Sequence, residues 1–103
     1  MNTVDKSPAS LIGPDGKRFV VDAGSPIRLG RSADNDIVIS DKSVSRYHAA
    51  ISIENGRCTI RDLGSQNGTL VNDHLVSEAH RLEAGDSIEL GITRMTVMLD
   101  PGV

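Results

Sequence analysis

The sequence predicts an all-β fold, an antiparallel β-sandwich of about eleven short strands. Three observations support this prediction. Apolar residues recur at every second position in short runs, which is the period of a half-buried strand. Turns rich in glycine, proline and asparagine separate those runs. No long segment shows the helical period of about 3.6 residues.

The chain divides into a leader, one domain and a tail. Residues 1–8 are polar and without pattern, so we expect a flexible N-terminal leader. Residues 9–100 form the domain, because a chain of 103 residues is long enough for one core and too short for a second lobe. Residues 101–103 form the tail. Aromatic residues make up only 2% of the chain, so the core has to be aliphatic.

The first five strands are predicted from turns and from alternation. Pro14 and Gly16 close a hairpin between the first two, because proline fixes one torsion of a turn and glycine accepts a positive one. Ile27 and Leu29 then fall on one face at the strand period. Residues 40–44 are polar and form a loop or a single helical turn. These strands cover residues 11–12, 18–21, 27–31, 37–39 and 49–54.

The remaining strands follow the strongest hairpin signal in the chain. Asn55-Gly56 joins the fifth strand to the sixth as a two-residue turn. Cys58 lies on the inward face of the sixth strand, where a lone thiol is a small core side chain rather than a nucleophile. Short apolar runs then alternate with turns. They cover residues 58–62, 69–71, the segment around Leu75, 81–82, 88–90 and 95–99.

Charge and cysteine content exclude several classes of function. The net charge is -3 and the 11 Lys and Arg residues are scattered, so no basic stripe is available for a nucleic-acid backbone. A single cysteine allows neither an internal disulfide nor a zinc site with several thiolates. The chain has no basic start leading into an apolar run and no stretch of about 18 apolar residues. We therefore expect a soluble, cytoplasmic protein that does not enter a membrane.

Two loops resemble cofactor or metal motifs only superficially. Residues 64–69 are glycine-containing but lack the lysine and the following helix of a nucleotide P-loop. Asp34-Asn35-Asp36 resembles the start of a calcium loop, but the possible ligands are adjacent rather than alternating and no closing glutamate follows twelve positions on. We expect no cofactor and no metal.

Polar motifs stand at the ends of predicted strands. Arg31 and Arg46 each carry a planar guanidinium that can hold a phosphate with two hydrogen bonds, and Ser45 adds a hydroxyl donor. Asn67 offers an amide that both donates and accepts, which suits binding to a peptide main chain. The loops of a sandwich gather at its ends, so these residues predict a phosphate-binding pocket at one rim. The motifs are Gly30-Arg31, Ser45-Arg46-Tyr47-His48 and Ser65-Gln66-Asn67-Gly68-Thr69.

The order of these motifs resembles the signature of forkhead-associated (FHA) domains. The resemblance covers roughly residues 11–99 and includes Asp36-Ile37-Val38-Ile39 before the second motif and Gly85-Asp86 before the penultimate strand. It implies an FHA/SMAD-like β-sandwich that binds phosphothreonine in a partner protein through loops at one rim. It implies neither catalysis nor a cofactor.

The resemblance also implies a role for each site residue. Arg31 and Ser45 would contact the phosphate, and Arg46 would support or contact it. Asn67 would bind the main chain of the phosphopeptide. Gln66 stands where the family often has Ser or Thr, and would shape peptide selectivity. The residues expected to brace the loops are Gly30, His48, Gly68 and Thr69.

The sequence therefore predicts a phosphorylation-dependent adaptor in serine/threonine kinase signalling. Its partner would be a threonine-phosphorylated protein or peptide, such as a kinase or its substrate, and the isolated domain would be a monomer. One alternative is a structural or oligomerisation module with the FHA fold and without phosphate binding. Another is a small hydrolase using Ser45, His48 and Asp62. A phosphorylated Thr3 that docks into the pocket is a further alternative.

Overall fold

The computed structural model describes residues 9–21, 26–54 and 57–99. Within them, 11 strands form two sheets, which confirms the predicted all-β sandwich. The predicted leader with Thr3, the Asn55-Gly56 turn and the predicted tail lie outside the described residues. The strands are β1 Ala9–Ile12, β2 Arg18–Val21, β3 Ile27–Gly30, β4 Ile37–Val38, β5 Ala49–Glu54, β6 Arg57–Asp62, β7 Thr69–Val71, β8 His74–Leu75, β9 His80–Arg81, β10 Ser87–Leu90 and β11 Thr93–Leu99.

Each sheet joins strands that are distant in sequence. The 6-stranded sheet has the order β2-β1-β11-β10-β7-β8, and the 5-stranded sheet has the order β4-β3-β5-β6-β9. Every pairing is antiparallel except that of β3 with β4, where Leu29 lies opposite Ile37 in a parallel register. Parallel strands usually need a long crossover. Here a short loop suffices, because the paired segment is only 2 residues long.

The core is aliphatic and lies between the sheets. Alternate residues of the longer strands point inward, as the burial of Met95 and Val97 and the exposure of Arg94 and Thr96 show for β11. Each fully buried Leu or Ile contributes about 1.5 to 3 kcal/mol relative to exposure. The largest fully buried apolar side chains are Leu11, Val21, Leu29, Val44, Ile51, Ile60, Val71, Leu82, Ile88, Leu90 and Val97.

Cys58 belongs to this core. Its side chain is only 6% exposed, and burial raises the pKa of the thiol to about 11. The thiol therefore stays protonated at neutral pH and is a poor nucleophile.

Loops from both sheets meet at one rim of the sandwich. The loop between β3 and β4 contacts the loop between β4 and β5, since the Arg31 amide donates to the Ser45 carbonyl over 3.0 Å. The β10–β11 turn joins them where the Ile92 amide donates to Ser43 Oγ over 2.9 Å. In the part of the chain that the structure describes, no helix is long and apolar enough to cross a membrane.

Candidate functional site

A pocket of about 270 Å³ opens at this rim. It brings four of the residues predicted to contact phosphopeptide together with three that the sequence did not single out. Asn67 lies beside this pocket, not in its lining. Three of the lining side chains are cationic and none is a carboxylate. The lining residues are Arg31, Lys42, Ser43, Val44, Ser45, Arg46 and Gln66.

Arg31 is anchored at its base. Its Nε donates to the carbonyl of Val44 over 2.9 Å, while its main-chain amide bonds the Ser45 carbonyl. Within the described residues, no hydrogen bond involves either Nη group of Arg31. The guanidinium therefore has a fixed direction and keeps four N–H donors for a ligand.

Ser45 presents a hydroxyl whose proton is available. Its Oγ accepts a hydrogen bond of 2.9 Å from the Gln66 amide. Because that oxygen is already an acceptor toward the protein, its own hydrogen can point into the pocket. The same bond ties the β4–β5 loop to the β6–β7 loop, so Gln66 lines the pocket beside Ser45.

His48 connects the same two loops from below. Its side chain is fully buried, and its Nδ1 accepts from the Ser45 amide over 3.0 Å. Nε2 must then carry the proton and donate it to the Gly68 carbonyl at 2.8 Å. Both ring nitrogens are used by the main chain, so His48 is not in position to act as a base toward Ser45 Oγ. The geometry does not form the triad of the hydrolase alternative.

Asp62 organises the β6–β7 loop. Its Oδ2 accepts from the amides of Gly64 and Ser65 at 2.9 Å each, and its Oδ1 accepts from Ser65 Oγ at 2.6 Å and Thr69 Oγ1 at 2.7 Å. Burial raises the pKa of Asp62, but the hydrogen bonds from Ser65 and Thr69 outweigh it and keep that pKa below its usual value. The buried Thr69 therefore holds the end of the loop that carries Gln66 against Asp62.

Asn67 is connected to a second turn through Ser43. Its Nδ2 donates to the Ser43 carbonyl over 2.8 Å. Ser43 Oγ donates to Asp41 Oδ1 over 2.7 Å and accepts from the Ile92 amide. The hydroxyl and amide of Ser43 lower the pKa of Asp41. A side chain at Gly91 would overlap Ser43, so the β10–β11 turn packs directly against this loop.

The main chain of Arg46 is fixed by the β3–β4 loop. Asn35 is only 7% exposed, and its Nδ2 donates to the Arg46 carbonyl at 2.7 Å and to the Ser32 carbonyl at 2.9 Å. A Cβ on Gly30 would overlap the same Arg46 carbonyl, so only glycine fits there. The Arg46 backbone is held in place while its side chain stays exposed.

Asp34 closes the β3–β4 loop on its outer side. It accepts from Ser32 Oγ at 2.6 Å and from the Tyr47 hydroxyl at 2.7 Å. Both hydrogen bonds lower the pKa of Asp34, and the one from Ser32 has the larger effect. The Arg28 guanidinium stacks over the Tyr47 ring at 5.7 Å from its centre, which fixes the ring beside the loop.

Sequence reasoning missed Lys42, Ser43 and Asn35. Each lies in a polar loop without periodicity, and no local signal distinguishes it from a solvated residue. Their roles depend on contacts with residues far along the chain, such as Asn67 for Ser43. For Lys42 and Ser43, the polarity of residues 40–44 is the only indication, and it predicts a loop or a single helical turn.

Comparison with known proteins decides the family. The model of the FHA domain matches residues 27–91, which is more than half of the chain. The chain belongs to the FHA domain family.

Relatives and solved structures agree with this membership. The glycogen accumulation regulator GarA of Mycolicibacterium smegmatis is 39% identical to this FHA domain over 90 residues, which are 86% of this chain and 56% of that protein. The chain thus spans about half the length of this curated relative. A chain solved in a structural and functional analysis of phosphothreonine-dependent FHA domain interactions superposes with a TM-score of 0.85 at 31% identity, covering 91% of this chain and 98% of that one.

Mycobacterium tuberculosis EmbR, solved in complex with a low-affinity phosphopeptide, is also similar. It superposes on this FHA domain with a TM-score of 0.86 at 31% identity. The similarity covers 95% of this chain and only 26% of EmbR, so it concerns one domain of that protein.

Proposed function

We propose that this FHA domain binds threonine-phosphorylated proteins and acts as a phosphorylation-dependent adaptor in serine/threonine kinase signalling. One observation carries the proposal: Arg31 and Arg46 line the same pocket as Ser45. A phosphothreonine carries about -1.5 to -2 charges at neutral pH, so two guanidinium groups nearly balance it. The Ser45 hydroxyl adds a neutral donor to a third phosphate oxygen.

Arg31 and Ser45 contact the phosphate in this proposal, and Arg46 contacts it from the other side of the pocket. Asn67, already within hydrogen-bond distance of the Ser43 carbonyl, exchanges that bond for the peptide main chain. Gln66 faces the residue next to the phosphothreonine. His48, Gly30, Gly68 and Thr69 hold the loops through the contacts described above. The phosphopeptide complex of EmbR supports the class of ligand.

The partner is a threonine-phosphorylated protein, either a kinase or one of its substrates. The domain itself acts by binding rather than by catalysis, in keeping with a relative named as a regulator. We propose that it works as a monomer in the cytoplasm, where its free and buried Cys58 would stay reduced.

A titration with three matched peptides tests this function. The threonine-phosphorylated peptide should bind with a micromolar dissociation constant, about -8 kcal/mol, by isothermal titration calorimetry. The unphosphorylated peptide should not bind measurably, because it leaves the pocket cations unpaired. The phosphoserine peptide should bind more weakly, because it lacks the methyl group that can pack at the edge of the pocket.

The titration also separates this function from the structural alternative. Equal affinity for all three peptides would contradict phosphothreonine binding. No binding of any peptide, together with self-association in sedimentation, would favour an oligomerisation module instead.

A further inference from the structure

The outward face of the 5-stranded sheet carries exposed arginines from β3, β6 and β9. Arg28 of β3 and Arg61 of β6 lie on either side of Ala50 of β5 in one row of the sheet. Arg81 of β9 lies opposite Thr59 of β6 in the next row. With strands about 4.8 Å apart and about 3.3 Å per residue along a strand, neighbouring members of this set are about 8 to 10 Å apart. Arg28, Arg61 and Arg81 together form the arginine face.

Small side chains separate these arginines. The outward positions between them on β5 and β6 are Ala50, Ser52 and Thr59, all half-buried. The surface is therefore flat, and one partner surface can contact all three guanidinium groups at the same time. Arg57 also faces outward on β6, but it lies at the far end of the sheet opposite Glu54 and is not part of the arginine face.

Among the residues that the structure describes, no carboxylate forms an ion pair with the arginine face. The ion pairs within 4.0 Å all involve Arg94, on the other sheet. Nη2 of Arg28 donates to the main-chain carbonyl of Asp34 at 3.5 Å, not to its carboxylate. Arg61 and Glu78 line a groove of about 480 Å³ without pairing across it. The guanidinium groups are thus available to a partner with negative charge.

The chemistry of the face favours carboxylates of a protein as that partner. A guanidinium is less strongly hydrated than an ammonium and binds a carboxylate with two parallel hydrogen bonds. Arginine is accordingly enriched at protein interfaces, where lysine is depleted. A net charge of -3 disfavours a long polyanion such as nucleic acid. The small residues between the arginines offer no large apolar side chain to insert into a bilayer.

The arginine face is continuous with the pocket that Arg31 and Arg46 line. Arg28 precedes Arg31 by three residues, so their Cα atoms are at most about 11 Å apart. The Arg28 guanidinium also stacks at 5.7 Å over the ring of Tyr47, the chain neighbour of Arg46. A protein whose phosphothreonine occupies the pocket can therefore contact the arginine face with another part of its surface.

We propose that the arginine face is a second docking surface, which binds a cluster of carboxylates on the threonine-phosphorylated partner, outside the segment that enters the pocket. This inference rests on the proposed function of the pocket. It requires carboxylates at that place rather than an acidic partner in general, because the protein's own net charge is -3. The pocket then recognises the phosphate, and the arginine face adds affinity for the protein that carries it.

Tailed phosphothreonine peptides test the inference. Each has a flexible glycine-serine linker of about ten residues, which spans about 17 Å on average. The linker ends in a run of glutamates or, in the matched peptide, in a run of serines of the same length, and both tails are tried at either end of the peptide. The glutamate tail should tighten binding by about three- to tenfold at one end, as expected for a few partly exposed charge pairs. The gain should vanish at about 0.5 M salt, which screens such pairs.

Variants of the protein assign the gain to the arginine face. It should be lost in the double variant Arg61→Gln, Arg81→Gln. The double variant Arg18→Gln, Arg94→Gln is the matched control, because it removes the same charge from exposed residues of the other sheet, and it should keep the gain. In nuclear magnetic resonance spectra of the wild-type domain, the glutamate tail should shift the side-chain Nε–H signals of the arginine face.

The outcomes separate the two proposals. A serine-tailed peptide that fails to bind counts against phosphothreonine binding itself. If it binds and no glutamate tail improves on it, the docking surface is overturned and the function of the pocket stands. A gain that persists in Arg61→Gln, Arg81→Gln, or falls equally in the control, also overturns the docking surface. So does tighter binding of phosphatidylglycerol vesicles or of a DNA duplex than of the glutamate tail, if the same double variant abolishes it.

Discussion

Arg31 and Arg46 are prepared for a ligand in different ways. Arg31 is anchored through its side chain, by the bond from Nε to the Val44 carbonyl, so little side-chain entropy remains to be lost on binding. Arg46 is anchored through its main chain, by Asn35, and its side chain keeps its freedom. We therefore infer that Arg31 sets the position of the phosphate and that Arg46 closes over it.

Replacing Arg31 tests this difference. Arg31→Ala should cost about 2 to 4 kcal/mol of phosphopeptide affinity, because part of the phosphate charge stays unpaired. The melting temperature should change little, since the side chain is exposed. Arg31→Lys should recover only part of the loss, because an ammonium lacks the planar pair of donors.

Calorimetric titration and thermal unfolding of the same samples give both quantities. Arg57→Ala serves as the control, an exposed arginine far from the pocket, and should retain full affinity. Unchanged affinity in Arg31→Ala would place the phosphate elsewhere.

At the same scale, the sequence named the motif residues and the bracing residues within the motifs, but neither Lys42 nor the supporting Asn35. Arg31, Ser45, Arg46 and Gln66 stand in short motifs whose order is informative by itself, and the structure brings them to one pocket. Lys42 carries an ordinary lysine side chain in a polar loop. Only the folded loop shows that it lines the pocket.

Each of the three loops at the site is held by a carboxylate within it or at its start. Asp34 accepts hydrogen bonds from two hydroxyl groups at the β3–β4 loop. Asp41 accepts a hydrogen bond from the Ser43 hydroxyl in the β4–β5 loop. Asp62, at the end of β6, accepts four hydrogen bonds from the β6–β7 loop and the start of β7. In all three the pKa is lowered, so each brace is ionised at neutral pH. Irregular loops lack ladder hydrogen bonds, and these side chains replace them.

The Asp62 brace has a testable dependence on pH. Its pKa is lower in the folded state than the usual 3.8, so its contribution to stability is full above that value and is lost as the pH falls through the folded pKa. Asp62→Asn should lower the free energy of unfolding by about 1 to 2 kcal/mol at pH 7, because the amide has a single acceptor oxygen and its NH2 group faces two of the donors. The gap between the two proteins should begin to narrow below about pH 4, where the unfolded wild-type carboxylate becomes protonated, and should continue to narrow as the pH falls through the lower pKa of the folded state.

Denaturant unfolding at pH 7, 5 and 3 measures that gap. Contributions that are common to both proteins cancel in the difference between them. Glu78→Gln, an exposed carboxylate on the β8–β9 loop, is the control and should show no gap. If the difference in the free energy of unfolding between the wild type and Asp62→Asn were as large at pH 3 as at pH 7, the charge of Asp62 would not be what stabilises the loop.

The elements themselves differ in how well the sequence predicts them. The strands β5 and β6 follow directly from the alternation of Ile51 and Ile53 with polar residues and from that of Cys58 and Ile60. The parallel pairing of β3 with β4 has no such signal, because a strand of 2 residues has no period. Its direction is set by the loop that crosses the rim.

For the whole molecule, the sandwich is a rigid frame that brings separate chain segments to one edge. Arg31 and Arg46 flank strands of the 5-stranded sheet, while Gln66 lies on the loop that passes from that sheet to the other. The order of strands in each sheet joins neighbours such as β1 and β11, which are far apart in sequence. Local patterns predict the sandwich class but not this order.

Charge is also distributed unevenly across the molecule. The chain carries a net charge of -3, yet every charged residue of the pocket lining is a cation. A cationic site on an acidic protein favours a dianion locally while repelling acidic surfaces in general. The affinity should therefore depend on the phosphate group rather than on the overall charge of the partner.

The crystal structure of this domain with a phosphothreonine peptide tests the central claim most directly. We expect the phosphate oxygens within about 3 Å of guanidinium nitrogens of both Arg31 and Arg46 and of Ser45 Oγ. A phosphate bound away from this rim, or contacted by neither arginine, would contradict the account.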